Sequence, residues 1–357
     1  MFGLNPNIPI RGRQGVINQL WPTDVWSESQ YHDSRPPGGC RNGDEAKPWR
    51  PIYRESIKMK KILSGFMVFI TFAACGCAQN PPVFDGARAF AILEKQCEFG
   101  ARVPGTPAHQ KCRDYLITAL RGYADQVTTQ EFLHTFGKPP QSARATNIIA
   151  NFQPARRDRV LLCAHWDCRH ICDEDPDPKK RTLPVMGAND GASGVAVLLE
   201  IARLLKARPP RQGVDIVLFD AEDQGMQGDD RSYARGSQYF ARHVEPTYHP
   251  RYGILLDMIG DKDLLIYQEA FSVQMARPIV DKVWAAAQRL GISEFVPQVG
   301  YAVFDDHVPL LERGIACIDV IDFDYPHWHT SHDTPDKCSA ASLEKVGRVV
   351  VEVLYNP

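Results

Sequence analysis

A chain of 357 residues, 44% hydrophobic and 24% charged, has the composition of a folded globular protein, which excludes a disordered chain and a collagen-like repeat. Lys and Arg number 41 against 43 Asp and Glu, a formal net charge of −2, so the basic excess of a nucleic-acid binder is missing. No apolar run reaches the roughly 18 residues of a membrane span.

Residues 1–58, rich in Pro, Gly, Arg and Asn, show no sustained period of 2 or 3.6. Met59-Lys60-Lys61 then leads into an apolar run from Ile62 to Ala74 that ends in small residues. A basic start, a short apolar core and a small-residue end describe a secretory signal peptide over residues 59–78. Such peptides open a chain, so Met59 reads as the true start and residues 1–58 as a start-site overcall or disordered extension. Two processing modes fit. Gly76-Cys77-Ala78 before Gln79 is a small-x-small cleavage site, whereas Phe72-Ala73-Ala74-Cys75 resembles a lipoprotein box. A lipidated Cys75 would tether the protein to the envelope, and in either case the expected location is the periplasm or cell envelope. The remaining residues, 79–357, number about 280, the upper size for one core, so a single catalytic domain is predicted. Absence of a long unexplained apolar stripe favours a monomer.

Export permits disulfides. Of the ten cysteines, Cys97 and Cys112 flank a Gly/Pro-rich loop and could pair, as could Cys168 and Cys172. None of the later cysteines stands at Cys-x-x-Cys spacing, so a structural zinc ribbon is not expected.

Residues 86–99 and 108–122 are predicted helices, with Phe90 and Leu93, then Tyr115, Leu116 and Leu120, recurring near helical spacing. Residues 146–152 and 160–165 are short apolar-rich runs and read as buried strands. Residues 187–194 open a long helix with Val195, Leu198, Ala202 and Leu205 on one side. Two more apolar strands follow at 214–219 and 253–258. Residues 276–290 and 306–313 read as helices, 315–321 as a last strand and 342–354 as a closing helix. Strands and helices taking turns predict an α/β fold, a mostly parallel central sheet flanked by helices on both faces.

Polar residues fall at informative places. His165 and Asp167 follow one strand, Asp190 starts a helix, Asp220, Glu222 and Asp223 follow another strand, and Asp257 ends a third. Ligands of open α/β sheets bind outside the carboxyl ends of the strands, and four separate segments aim acids and a histidine there. Carboxylates with imidazole favour zinc, held tetrahedrally with an open position in a catalytic site. Asp190, Asp223 and His329 would supply three ligands. Glu222, next to a ligand, is placed as general base, with a pKa that neighbouring carboxylates and burial would bring toward neutrality. Zinc as a Lewis acid would polarise a carbonyl. Together they suit attack on an amide with an amine leaving.

His165-Trp166-Asp167, the run from Gly187 to Gly194 (Gly-Ala-Asn-Asp-Gly-Ala-Ser-Gly), Phe219-Asp220-Ala221-Glu222-Asp223 and Trp328-His329-Thr330 stand in the order of the zinc aminopeptidase (M28-like) clan. With Leu256-Asp257-Met258-Ile259-Gly260 and Asp305-Asp306-His307, the chain resembles a bacterial, animal-type glutaminyl cyclase (glutaminyl-peptide cyclotransferase) over about residues 86–354. The resemblance implies one zinc ion on Asp190, Asp223 and His329, a proton shuttle at Glu222, and Asp257 and Asp305 hydrogen-bonding the reacting groups. It implies Trp328 as a wall of the substrate pocket, and sets Phe304 where mammalian cyclases have Gln. The implied substrates are peptides or proteins with an N-terminal Gln, cyclised to pyroglutamate with release of ammonia.

The chain also departs from that pattern. Mammalian cyclases have Glu-Glu where this chain has Glu222-Asp223, and a pocket tryptophan shortly after that pair, where this chain reads Gly225-Met226-Gln227-Gly228-Asp229-Asp230. A dinuclear zinc aminopeptidase of the same clan is the rival, since His165 and Asp257 could bind a second metal. A binding protein on a decayed peptidase scaffold is a third reading, opposed by the intact ligands and Glu222.

Other signals have plainer readings. Residues 187–194 lack the Lys-Ser/Thr of a phosphate loop and instead suit a close strand-to-helix approach. Ser193 lacks a nucleophile-elbow context. His327 and His332 read as surface or supporting residues beside His329, and His307 and Asp220 as supporting rather than ligating. Residues 173–180 and 229–231 read as exposed loops.

Overall fold

The computed structural model describes residues 81–356, so the expected leader, with residues 1–58, the signal peptide at 59–78 and Cys75, lies outside the described residues. In chain order the elements are helices α1 (Gly86–Glu98) and α2 (Pro107–Arg121), strands β1 (Gln126–Phe136), β2 (Gln141–Phe152) and β3 (Arg159–His165), helix α3 (Ala192–Ala207), strand β4 (Gly213–Phe219), helix α4 (Arg235–His243), strands β5 (Gly253–Asp257) and β6 (Ile266–Glu269), helix α5 (Ala270–Arg289), strand β7 (Phe295–Tyr301), helix α6 (His307–Glu312), strand β8 (Cys317–Ile321) and helix α7 (Ala340–Tyr355). Most of the predicted ones stand within a residue or two of their expected places, and β2 starts five residues earlier than expected. Capping is legible residue by residue. Asp85, Thr106 and Ser339 each accept a backbone N–H from the first turn of α1, α2 and α7.

Four elements were not expected. Strand β1 reads Gln-Val-Thr-Thr-Gln-Glu at its start and keeps only His134 and Phe136 buried, so it offers no apolar run. The short strands β6 and β7 pair with each other as a separate parallel ribbon, and α4 is a single short helix rich in polar residues. Helix α5 starts six residues earlier than expected, because Pro278 breaks the pattern at a kink where Ala276 leaves helical geometry.

The main sheet has the order β1-β2-β4-β3-β5-β8. Strands β4, β3, β5 and β8 run parallel, while β1 and β2 add an antiparallel edge. The sheet is therefore mixed, with the expected parallel arrangement at its centre. Both faces are buried, and the side chains alternate between two apolar clusters. Leu162, Ala164, Ile216, Leu218, Ile254, Leu256 and Ile318 join one with α1, α3 and α7. Leu161, Cys163, Val217, Phe219, Leu255 and Cys317 join the other with Phe240 of α4 and Leu310 of α6. Among the described residues, no helix is long and apolar enough to cross a membrane.

The cysteine pairings are corrected. Cys97, Cys112, Cys168 and Cys172 are all buried free thiols. Cys97 and Cys112 lie on the buried faces of α1 and α2 and act there as small apolar side chains, their thiols pushed up by burial to about 11 and about 12.

Candidate metal and catalytic site

Parallel strands β3, β4 and β5 end at one edge of the sheet, and their exits carry the site. His165 is the last residue of β3 and Asp257 the last of β5, while Asp220 to Asp223 follow β4 directly. Three non-glycine residues at or beside the site have left-handed backbone: Ala221 (φ 56°), Met258 (φ 47°) and His329 (φ 54°). Such conformations cost on the order of 1–3 kcal/mol each and persist where the surroundings over-determine them. Here they redirect the chain so that Glu222 and Asp223 turn back over the sheet edge.

Asp190 arrives from the loop before α3. Gly191 (φ 99°) follows it with no room for a Cβ against the Asp167 carbonyl, and a Cβ on Gly194 would collide with the Leu256 carbonyl. Gly191 thus lets the loop lie against the exit of β3, and Gly194 lets α3 approach β5 closely, the close strand-to-helix approach expected. Asp333 fixes the loop from behind, its carboxylate accepting the Asn189 N–H at 2.8 Å, the Asp190 N–H at 3.1 Å and the Tyr325 hydroxyl at 2.8 Å. Ser193 is buried, donating to the Asn189 carbonyl and accepting the Ile259 N–H, a structural role.

Asp190, Asp223 and His329, from three separate segments, bring one ligand atom each within 4.8 Å of one another, all buried. His329 Nε2 lies 3.0 Å from Asp223 Oδ1 and 3.8 Å from Asp190 Oδ2. Asp223 Oδ2 is buried with no hydrogen-bond partner among the described residues. Two carboxylates and an imidazole around an orphaned oxygen are a donor set that fits a zinc ion. His165, Asp190 and Asp257 form a second such group, sharing Asp190 with the first. There His165 Nε2 stands 3.0 Å from Asp257 Oδ1 and 3.1 Å from Asp190 Oδ1. Burial alone would lower this imidazole, but Asp257, Asp167 and Asp190 carry it well above the usual histidine range.

Asp167 braces the turn after β4. It accepts the Glu222 N–H at 3.0 Å, the Asp223 N–H at 3.3 Å and the Gln224 amide at 2.9 Å. Glu222 is buried, and its carboxyl is raised well above the usual glutamate range by burial, then by Asp305 and Asp223. Asp305, ahead of α6, is pushed up to about 7 by burial and by Asp257, and its Oδ2 has no hydrogen-bond partner among the described residues. Glu222, Asp257 and Asp305 are thus buried acids that hold protons readily, a composition suited to moving one. Trp328 stacks on His329 with ring centroids 3.7 Å apart and packs on Phe323 at 5.5 Å. Phe304 is half-buried under the Arg231 guanidinium, 5.7 Å from its ring centre.

The remaining polar residues take supporting places. Asp220 pairs with His109 at 2.9 Å and accepts the Thr146 N–H, away from the metal group. His307 is fully buried and bonds Glu269 at 3.0 Å, while His332 is exposed and His327 half-buried. The 173–180 stretch is the expected loop, mostly exposed, except that Asp175 is buried and Asp173 turns inward beside His329. Residues that composition alone did not reveal are Arg102, His109, Arg169, Glu269 and Asp333. Only Arg169 and Asp173 carried a usable signal, a cation and an acid four apart directly after His165-Trp166-Asp167.

Fold and site together define an α/β protein of zinc exopeptidase type. Residues 147–354 match the family model for peptidase family M28. Among solved structures, the Bacteroides thetaiotaomicron glutaminyl cyclase bound to N-acetylhistamine is 38% identical, with TM-score 0.75 over 78% of this chain and 100% of that one. The Tannerella forsythia glutaminyl cyclase is 41% identical, with TM-score 0.74 over 77% and 100%. A glutaminyl-peptide cyclotransferase-like protein of Bos taurus is 23% identical over 279 residues, 71% of each chain. The chain belongs to peptidase family M28 and, within it, to the glutaminyl cyclase group.

Proposed function

We infer that this chain is a glutaminyl-peptide cyclotransferase, converting the N-terminal Gln of peptides or proteins to pyroglutamate with release of ammonia. The observation that carries this reading is the pairing of one buried metal-type group, Asp190, Asp223 and His329, with the proton-holding acids Glu222, Asp257 and Asp305. The likeness to bacterial glutaminyl cyclases along nearly their whole length supports it.

A zinc ion held by Asp190, Asp223 and His329 would supply Lewis acidity to the γ-carboxamide carbonyl. Glu222 takes the proton from the substrate α-amine as its nitrogen bonds the γ-carboxamide carbon. It then gives a proton to the departing nitrogen as the C–N bond to ammonia breaks. Asp257 and Asp305, raised as Glu222 is, hold the reacting amine and amide in place by hydrogen bonds. Trp328 walls the glutamine side chain into a folded conformer, which removes much of the entropic cost of ring closure. Closure of the pocket against water would keep the amide from hydrolysing instead.

One observation favours a second reading, a dinuclear aminopeptidase: His165, Asp190 and Asp257 also gather as a metal-type group. Paired assays separate the two. The cyclase releases ammonia from glutamine 2-naphthylamide and leaves leucine 2-naphthylamide intact, whereas an aminopeptidase frees naphthylamine without ammonia. The sequence pattern of residues 59–78 supports export to the periplasm or cell envelope, with peptide or protein N-termini of that compartment as substrates.

A further inference from the structure

The segment directly after His165-Trp166-Asp167 builds a closed circuit behind the metal-type group. Arg169, its side chain 1% exposed, is bidentate to Asp173, with Nε 2.7 Å from Oδ1 and Nη2 2.6 Å from Oδ2. Its third nitrogen, Nη1, donates to the Asp223 carbonyl at 3.1 Å and lies 3.4 Å from Asp223 Oδ1. Asp173 Oδ1 in turn stands 3.5 Å from His329 Nδ1, and His329 Nε2 closes the circuit on Asp223 Oδ1 at 3.0 Å. The same segment grips the left-handed backbone of His329: the Glu174 N–H donates to its carbonyl at 3.2 Å. Asp175 accepts the Ser331 N–H at 2.8 Å.

We propose that Arg169 and Asp173 are positioning residues that set the affinity of the Asp190–Asp223–His329 group for a divalent cation. A carboxylate facing Nδ1 keeps the proton on that nitrogen, so Nε2 presents its lone pair toward Asp190 and Asp223. The planar guanidinium spans the gap between Asp173 and Asp223, two acids that would otherwise repel, and fixes the distance between two ligands from distant segments. It also braces the short Asp223 side chain through its own main chain. The proposal rests on the assignment of the three ligands made above.

The test measures zinc dissociation constants of the purified protein by competition with a chromophoric chelator. Parent, Asp190→Asn, Asp173→Asn, Asp173→Ala and Arg169→Lys are compared, and thermal unfolding of the metal-free forms checks the fold. Asp173 is partly exposed, 24%, so Asp173→Asn, which keeps the shape and hydrogen-bonding reach of the side chain, is the variant that disturbs the fold least. The expected result is zinc binding weaker by about 10–100-fold in Asp173→Asn and weaker again in Asp173→Ala. Asp173→Ala, which leaves the buried Arg169 guanidinium without its carboxylate, lowers the metal-free unfolding temperature more than Asp173→Asn does, and in both excess zinc rescues kcat with KM unchanged. A zinc affinity of Asp173→Ala within twofold of the parent, alongside a large loss in Asp190→Asn, overturns the proposal and leaves the ligand assignment standing. No zinc uptake by the parent, or full affinity in Asp190→Asn, overturns both.

Discussion

At the scale of single residues, the account turns on buried acids whose charges are unwelcome. Glu222 is enclosed with Asp305 and Asp223, and its carboxyl is raised well above the usual glutamate range. As a base it must be unprotonated, so kcat/KM should fall as pH drops through an acid limb well above pH 4.5, where an ordinary glutamate would titrate. A pH–rate profile with its acid limb at or below that value would contradict this. Glu222→Gln removes the base and keeps Asp190, Asp223 and His329. It should retain zinc by metal analysis while turnover falls by about 10²–10⁴-fold. His165 yields another expectation at this scale. His165 Nε2 stands 3.1 Å from Asp190 Oδ1 and 3.0 Å from Asp257 Oδ1, and it would have to be neutral to ligate a second zinc. Metal analysis near neutral pH should find one ion per chain, and a second equivalent should bind only as pH rises. Two ions held with equal affinity at neutral pH would speak for the dinuclear reading.

At the scale of elements, the site depends on how closely α3 lies on β5. Gly194 has no space for a Cβ between the Leu256 carbonyl and Ala164. Gly194→Ala should therefore destabilise the fold by about 1–3 kcal/mol, as overpacking does, read as a lower urea midpoint with an unchanged slope. An unchanged midpoint would mean the helix sits further out. Elements with an apolar period were legible in the sequence: β3, β4, β5 and β8 are short and buried on both faces, and α3 carries Val195, Leu198, Ala202 and Leu205. What escaped had no such signature. β1 is an edge strand of Gln, Thr and Glu, and its pairing partner β2 supplies the reason it is a strand at all. The 173–180 stretch looked like a solvated loop because its charges and prolines resemble one. Two of its acids, Asp173 and Asp175, nevertheless turn to His329 and Ser331, partners more than 150 residues away that no local pattern can announce.

At the scale of the whole molecule, the central sheet converts sequence order into spatial convergence. Parallel strands end on the same edge, so acids placed just after β3, β4 and β5 meet without being neighbours in sequence. That rule made His165, Asp190, Glu222, Asp223 and Asp257 legible from position alone. Asp305 and Trp328 sit on loops with no strand-exit signal, and only the resemblance of their motifs to a known family singled them out. Asp333 and His109 were invisible, because a buried acid or imidazole gains its meaning from partners that folding supplies. The left-handed residues Ala221, Met258 and His329 lie where the chain leaves those regular patterns, and they are the positions that form the site.

The central claim is ring closure rather than removal of a residue, and mass spectrometry of one peptide decides it. A synthetic peptide with N-terminal Gln, incubated with the zinc-loaded protein, should keep every residue and become lighter by one ammonia. A product shortened by its first residue, with free glutamine in solution, would contradict the account.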